Sequence, residues 1–267
     1  MESFFHNKQV LLLILYDCII FFELYHLYFL FQYDKITSDM NICKNNLCEL
    51  LESSLEYVNG ENVSLDSLFY KAIDKNEQNF TVFVSQLNII KNVLKEDLQF
   101  FMDSDPAAHS LEEIKLAYPG YKAIAIYRIS HVLYELGYKV HARYFSELGH
   151  SSTGIDIHPA ATIDYPFFID HGTGIVIGQT ATIGKRVKIY QSVTLGAVSL
   201  SDADKWRNVV RHPQVGNNVT IYAGASLLGA IKIGNNVTIG SNVFLTEDVP
   251  DNTRVVIGKP ELIIQSK

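Results

Sequence analysis

The second half of the chain repeats an aliphatic residue every six positions. Thirteen positions hold this spacing, with a two-residue slip after the third and a long interruption after the seventh. They are Ile157, Ile163, Ile169, Ile177, Ile183, Ile189, Leu195, Val215, Ile221, Leu227, Ile233, Ile239 and Leu245. Neither an α-helix nor an alternating strand has period six. The repeat predicts a left-handed parallel β-helix, in which each hexad forms one side of a triangular coil and its aliphatic residue points inward.

One polar segment interrupts the hexads. It runs over 196–214, contains the only tryptophan, and has Arg211-His212-Pro213 near its end. An insertion into a solenoid is normally a loop on one face, often the face that binds a ligand. We therefore expect a loop that places an arginine and a histidine beside a coil. The alternative is a surface loop that has no function.

The preceding part of the chain has a helical pattern. Apolar residues recur three and four positions apart in stretches such as Phe80–Phe101 and Ala123–Leu136. Three short strings predict a capping box, a turn and a polar hinge, at Ser110–Glu113, Tyr118–Gly120 and Gly149–Gly154 respectively. The prediction is an α+β protein, with an N-terminal α-helical domain over 40–150 followed by the left-handed parallel β-helix over 151–260.

Residues 1–39 form an apolar extension that differs from both domains. Val10–Phe31 is almost wholly apolar and aromatic and is long enough to cross a bilayer, but Asp17 and Glu23 lie inside it. It lacks the basic flank and the cleavage site of a signal peptide. Three interpretations stay open: a membrane anchor, a helix packed on the rest of the protein, or an upstream extension of the gene model, with Met40 opening the natural chain.

Charge and cysteine content narrow the function classes. The net charge is −7 and no run of Lys and Arg exists, which excludes nucleic acid as a partner and favours small molecules. The three cysteines, Cys18, Cys43 and Cys48, provide neither a disulfide framework nor a four-thiolate zinc site. We expect a cytoplasmic protein, although the apolar extension leaves membrane association open.

Asp156 and His171 are the first candidates for chemistry. They are fifteen residues apart, close to one coil, so with a tightened corner we expect them on neighbouring rungs within hydrogen-bond reach. An imidazole accepts a proton at neutral pH, and a carboxylate on its other nitrogen fixes the tautomer and stabilises the imidazolium. The pair predicts a general base. A single histidine in a turn would otherwise be a solvated or structural residue.

Several strings together resemble the serine O-acetyltransferases, hexapeptide-repeat enzymes that acetylate L-serine with acetyl-CoA for cysteine biosynthesis. In the β-helix and helical parts these are Gly154–Ala161, Ile169–Gly178, Tyr190–Ala197, Arg211–Pro213, Asp105-Pro-Ala, Tyr118-Pro-Gly and Tyr127-Arg. The resemblance covers roughly residues 103–260. It implies that the serine hydroxyl attacks the thioester directly, with no nucleophilic enzyme side chain, and we expect no metal.

The resemblance also implies individual roles. His171 matches the general base, Asp156 its orienting partner, and His212 a second active-site imidazole. Arg211 matches the residue that grips the substrate carboxylate, a task that suits a guanidinium fork.

Two acids and one amide complete the implied substrate site. Asp105 and Asp170 match the residues that hold the ammonium group, although Asp105 has a plain alternative as the cap of the following helix. Gln179 stands where the family usually has glutamate in the active-site wall, so we expect a change in substrate grip or rate.

Coenzyme A and partner contacts follow from the same resemblance. The family lays the pantetheine arm against small-residue corners, which Gly196, Ala197, Ala223 and Ser241 match. Lys259 is a candidate phosphate contact, with a solvated lysine as the plainer alternative. The family's site lies between subunits of a trimer, which implies a homotrimer or a dimer of trimers. We do not expect docking to O-acetylserine sulfhydrylase, because the short tail over 261–267 does not end in isoleucine.

Three other functions share parts of the pattern. A hexapeptide acetyltransferase for a sugar or another hydroxyl compound needs the histidine base but not the arginine and aspartate that grip serine. A zinc lyase like the γ-type carbonic anhydrases binds zinc with three histidines at subunit interfaces, for which this chain offers His158, His171 and His212. A catalytically silent scaffold would have lost activity through Gln179.

Overall fold

The computed structural model describes residues 43–198 and 209–258. The extension over 1–39 with its three interpretations, part of the predicted loop, Lys259 and the tail lie outside the described residues. The described residues from 48 onwards belong to one compact unit. Within the described ranges, no helix combines the length and the apolar character needed to cross a membrane.

Among the described residues, six helices precede the strands. They are α1 (43–59), α2 (Asp66–Ala72), α3 (Glu77–Ser104), α4 (Leu111–Ala117), α5 (Pro119–Glu135) and α6 (Lys139–Thr153). The long helix α3 buries apolar residues three and four positions apart: Phe83, Leu87, Ile90, Leu94, Leu98 and Phe101. The helical patterns predicted over Phe80–Phe101 and Ala123–Leu136 are therefore confirmed, the latter up to the end of α5 at Glu135.

The helix ends agree only in part with the predicted boundaries. Ser110 Oγ accepts a hydrogen bond from Glu113 N at 3.0 Å, as a capping box requires, but the Glu113 carboxylate accepts from His109 N at 2.8 Å instead of from Ser110 N. The turn predicted at Tyr118–Gly120 was wrong. Tyr118 is the N-cap of α5 and Pro119 its first residue, where proline's missing N–H is not needed.

The hinge predicted at Gly149–Gly154 was also wrong. Helix α6 continues through Thr153, and only Gly154 leaves it, with a φ of 72°. A glycine in the left-handed region is a common helix C-terminal signal because it has no Cβ to strain. The β-helix therefore begins directly from the end of α6.

Fourteen short strands are described. They are β1 (Asp156–Ile157), β2 (Thr162–Ile163), β3 (Phe167–Asp170), β4 (Val176–Ile177), β5 (Thr182–Ile183), β6 (Val187–Tyr190), β7 (Thr194–Gly196), β8 (Gln214–Val215), β9 (Thr220–Ile221), β10 (Ser226–Leu228), β11 (Lys232–Ile233), β12 (Thr238–Ile239), β13 (Phe244–Leu245) and β14 (Arg254–Val255). They form three parallel sheets, β1-β4-β7-β10-β13, β2-β5-β8-β11 and β3-β6-β9-β12-β14. Each sheet is one side of a left-handed β-helix.

The register explains both irregularities of the repeat. Ile157 pairs with Ile177, twenty positions on, and Ile177 with Leu195 after the ordinary eighteen. Leu195 pairs with Leu227, so the coil between them contains the inserted loop. Twelve of the thirteen repeated aliphatic residues are buried, and Leu245 is half-buried because β13 is the last strand of its sheet. The predicted β-helix is confirmed.

A buried ion pair joins the helices to the first coil. Arg128 of α5 donates to both carboxylate oxygens of Asp97 of α3, at 2.8 and 2.9 Å, and Asp97 also accepts from Phe167 N at 2.9 Å. Tyr127 donates to the carbonyl of Ala161 at 2.6 Å. The bond from Phe167 N holds β3, the strand that ends at the predicted site, and the bond to Ala161 holds the turn before β2.

Candidate active site

The predicted site residues occupy two different corners of the triangular coil. One corner, where the chain turns from β3 to β4, is called the carboxylate corner and contains Asp170 and His171, with Asp105 nearby. The other, where β4 turns to β5 and the inserted loop rejoins at β8, is called the arginine corner. It contains Gln179, Thr180, Arg211 and His212.

In the carboxylate corner, His171 is presented to solvent. Asp170 ends β3, and His171 and Gly172 both adopt positive φ, 57° and 86°. A Cβ on Gly172 would lie 2.4 Å from Ile155 Cδ1, so this tight turn requires glycine. The His171 side chain is 69% exposed, and its Nε2 lies 3.8 Å from Asp170 Oδ1. The imidazole is therefore accessible to a substrate hydroxyl.

Asp105 follows α3 and is anchored at both carboxylate oxygens. Oδ1 accepts from Ala107 N at 2.8 Å, and Oδ2 accepts from the Tyr118 hydroxyl at 2.7 Å. Helix α4 is capped by Ser110, so the alternative that Asp105 caps the following helix was wrong. The hydrogen bond to Asp105 is the main cause that raises the pKa of Tyr118 to about 12, and the charge of Asp170 also contributes. Both carboxylates therefore lie near one phenol.

The hydrogen bond expected between Asp156 and His171 is not formed in the single chain. Asp156 pairs in register with Val176, because the slip lengthens this coil to twenty residues instead of tightening it. Among the described residues, no hydrogen bond or ion pair joins the two side chains. The orienting role of Asp156 stays a prediction.

The potential metal ligands do not coincide with the three histidines of the zinc hypothesis. Within the part of the chain that the structure describes, one group of three has its ligand atoms within 4.8 Å of one another: Glu147, His150 and Asp156. Arg143 already pairs with Glu147. His158, His171 and His212 form no such group within one chain.

In the arginine corner, Gln179 and Thr180 form hydrogen bonds with Arg211 and His212. Gln179 Oε1 accepts from Arg211 Nη2 at 2.6 Å. Thr180 Oγ1 accepts from Arg211 N at 3.0 Å, and Thr180 N donates to His212 Nδ1 at 3.1 Å. Because Nδ1 accepts this bond, the neutral ring carries its proton on Nε2. The loop end is thereby fixed to the coil, and His212 offers a donor at Nε2.

His212 is buried and neutral. Its exposed fraction is 7%, and burial, with a smaller contribution from the charge of Arg211, lowers its pKa to about 4. The ring occupies the space beside Gly178, where a Cβ would lie 2.0 Å from His212 Cδ2. Sequence reasoning missed Gly178 and Thr180. Their signal was the string Gly178-Gln-Thr, which only the register connects to the loop end.

His158 takes a structural position in the same region. Its Nδ1 accepts from Ala160 N at 3.0 Å, and its ring packs edge-on against Tyr134. Burial, followed by the charge of Arg143, lowers its pKa to about 4. A neutral imidazole whose Nδ1 binds its own turn fits the corner of a coil.

The residues predicted for coenzyme A divide between the same two corners. Gly196 ends β7 and Ala197 follows it, so both lie at the arginine corner, one coil beyond Gln179. Ala223 and Ser241 follow β9 and β12, on the side of the carboxylate corner. Each corner therefore contains part of the predicted serine site and part of the predicted coenzyme A site.

The left-handed β-helix is built from hexapeptide repeats, and the family model described as Bacterial transferase hexapeptide (six repeats) matches residues 212–247. The chain is 50% identical over 171 residues to the "Serine acetyltransferase, plasmid" of Synechococcus elongatus, covering 63% of this chain and 54% of that protein. It is 41% identical over 174 residues to the serine acetyltransferase of Bacillus subtilis, covering 65% and 77%. The chain belongs to the serine acetyltransferase family. Its match spans about half the length of the Synechococcus relative.

Solved structures agree with this assignment. The serine acetyltransferase isoform 3 of Entamoeba histolytica, in complex with cysteine, has a TM-score of 0.70 and 35% identity, over 82% of this chain and 84% of that one. The Neisseria gonorrhoeae enzyme in complex with serine has a TM-score of 0.64 and 32% identity, over 79% and 82%. The Brucella abortus enzyme in complex with coenzyme A has a TM-score of 0.62 and 32% identity, over 79% of each chain.

Proposed function

We propose that the protein transfers the acetyl group of acetyl-CoA to the hydroxyl of L-serine, giving O-acetyl-L-serine and CoA for cysteine biosynthesis. The observation that carries this proposal is the charge distribution around the exposed His171. The carboxylates of Asp105 and Asp170 lie at the carboxylate corner with His171, and the guanidinium of Arg211 lies at the arginine corner. This set matches a zwitterionic amino acid, and relatives in the family are seen with serine and with coenzyme A.

Substrate binding follows from these charges. Asp105 and Asp170 hold the ammonium group, and Arg211 takes the carboxylate through charge-assisted hydrogen bonds. The serine hydroxyl then lies beside His171. Gln179 fixes one arm of the guanidinium, which sets the direction in which Arg211 meets its ligand.

The reaction uses direct attack on the thioester. His171 takes the proton of the serine hydroxyl while its oxygen bonds to the thioester carbon. The tetrahedral intermediate collapses with cleavage of the carbon–sulfur bond, and the imidazolium returns its proton to the CoA sulfur. His212, neutral with its proton on Nε2, donates to an oxygen of the acceptor. Asp156 is proposed to orient the base, in agreement with the family pattern.

Assembly completes the site. The two corners lie on different edges of one triangular coil, so a single chain does not bring them together. In a homotrimer, the carboxylate corner of one subunit meets the arginine corner of the next, and the pantetheine arm lies between them along Gly196, Ala197, Ala223 and Ser241. A dimer of trimers preserves this arrangement. The cytoplasm, predicted from cysteine usage, is its proposed location.

The test is a thiol-release assay with acetyl-CoA and a panel of acceptors: L-serine, L-homoserine and galactosides. We expect CoA release with L-serine, and a loss of about 10²-fold or more in kcat for His171→Ala, the usual contribution of a general base. The variant should fold normally because the side chain is 69% exposed. No CoA release with L-serine, or a full rate in the variant, would overturn the proposal.

A further inference from the structure

Tyr118 makes direct contact with a carboxylate that is proposed to bind the substrate. Its hydroxyl donates to Asp105 Oδ2 at 2.7 Å, while Ala107 N donates to Oδ1 at 2.8 Å. With one protein donor on each oxygen, the carboxylate has a fixed rotation. The raised pKa of Tyr118, about 12, keeps the phenol protonated, so this donor is present throughout the physiological pH range.

The string Tyr118-Pro-Gly also sets the position of the second carboxylate, that of Asp170. Tyr118 is the N-cap of α5, and Gly120 lies in the first turn of that helix. A Cβ on Gly120 would lie 2.2 Å from the carbonyl oxygen of Ile169. Glycine therefore allows the start of α5 to touch the backbone of β3, one residue before Asp170. The string Tyr118-Pro-Gly connects both acids to one helix end.

We propose that Tyr118 is a positioning residue for the substrate ammonium group. It holds Asp105 so that this carboxylate and Asp170 point at one cation, in spite of their mutual repulsion. Without the phenol oxygen, Asp105 keeps only the bond from Ala107 N and turns away from its neighbour. This inference rests on the proposed function, because it concerns how the same site recognises serine.

The test compares Tyr118→Phe with the wild-type chain and with Tyr57→Phe as the matched control. Tyr57 also donates one hydrogen bond, to Asn88 Oδ1 at 3.0 Å, but elsewhere in the helical part. Tyr118→Phe keeps the ring that packs edge-on against Phe101. For Tyr118→Phe we expect the KM for L-serine to rise about tenfold, with kcat and the KM for acetyl-CoA within twofold of wild type. The control should change none of them.

A double-mutant cycle with Asp105→Ala identifies the route of the effect. If Tyr118 acts through Asp105, adding Tyr118→Phe to Asp105→Ala leaves the serine KM unchanged. The inference is overturned if the effects of the two substitutions on the serine KM multiply in the double variant. It is also overturned if Tyr118→Phe leaves the serine KM unchanged, or lowers kcat by as much as it raises that KM. If wild type releases no CoA with serine, the proposed function itself fails. If wild type is active but Tyr118→Phe behaves like Tyr57→Phe, only this inference fails.

Discussion

The hydroxyl of Thr180 donates a hydrogen bond to Nδ1 of His212 at 2.8 Å. The same oxygen accepts the backbone N–H of Arg211 at 3.0 Å. One small side chain on the coil thus fixes the backbone and the ring at the end of the inserted loop. The two predicted loop residues have their positions because of a residue that carries no charge and takes no part in the proposed chemistry.

Thr180→Val should destabilise the protein by about 1–3 kcal/mol, because it keeps the shape but leaves Arg211 N without its acceptor. The serine KM should rise as the loop end loosens. Urea unfolding and initial rates measure both effects. Thr180→Ser, which keeps the hydroxyl, is the control and should stay near wild type. A valine variant with unchanged stability and KM would show that these bonds do not fix the loop end.

Gln179→Glu should weaken serine binding. A carboxylate in place of the amide oxygen partly neutralises Arg211, and one unit charge about 4 Å away is worth about 1 kcal/mol in water, or roughly fivefold in KM. Steady-state kinetics with L-serine as the varied substrate check this. Gln179→Ala, which removes the hydrogen bond without adding a charge, separates the two causes. A KM that is unchanged or lower in the glutamate variant would mean that Arg211 does not meet the substrate carboxylate.

Gly178→Ala should displace His212. The added methyl group would lie 2.0 Å from the ring, so the imidazole must leave its place and its bonds to Thr180. Overpacking of this kind typically costs about 1–3 kcal/mol, and we expect a loss of activity at saturating serine. Gly258→Ala, where no atom lies within 4 Å, is the control. Wild-type behaviour of the alanine variant at 178 would contradict the position of the ring.

Stability should fall on acidification between pH 6.5 and 4. The pKa of His212 is about 4 in the folded chain, against an ordinary value of 6.5. Between these pH values the histidine is protonated in the unfolded chain but not in the folded chain, so the free energy of unfolding rises with pH. This contribution to stability is lost as the pH falls towards 4. His158 acts in the same direction. Urea unfolding at pH 7.5 and pH 5 measures this, and His212→Asn should reduce the difference. If the free energy of unfolding changes equally between the two pH values in wild type and in His212→Asn, His212 is not the cause.

Much of the fold could be predicted because the hexad repeat reports burial directly: an inward aliphatic residue on each side of a coil has few substitutes. The helix boundaries were harder. Tyr118-Pro-Gly has the composition of a turn, but proline also fits the first position of a helix, and local sequence does not decide between the two. Gly149–Gly154 is polar because one face of α6 is exposed, not because the chain bends there.

The sequence indicates which residues are candidates for the site, but not how they are arranged in space. Counting fifteen residues from Asp156 to His171 suggested adjacent rungs, yet the slip moved the register to Val176. Thr180 was missed because its partners come from the end of a loop of unpredictable length. The split of the site between two corners also follows only from the strand order.

The identity of the product tests the central claim most directly. The protein would be incubated with carbon-13-labelled acetyl-CoA and L-serine, with CoA counted by thiol release and the acetylated compound identified by mass spectrometry. The account predicts labelled O-acetyl-L-serine in equal amount to the CoA released. CoA release without acetylated serine, or faster labelling of a galactoside than of L-serine, would contradict it.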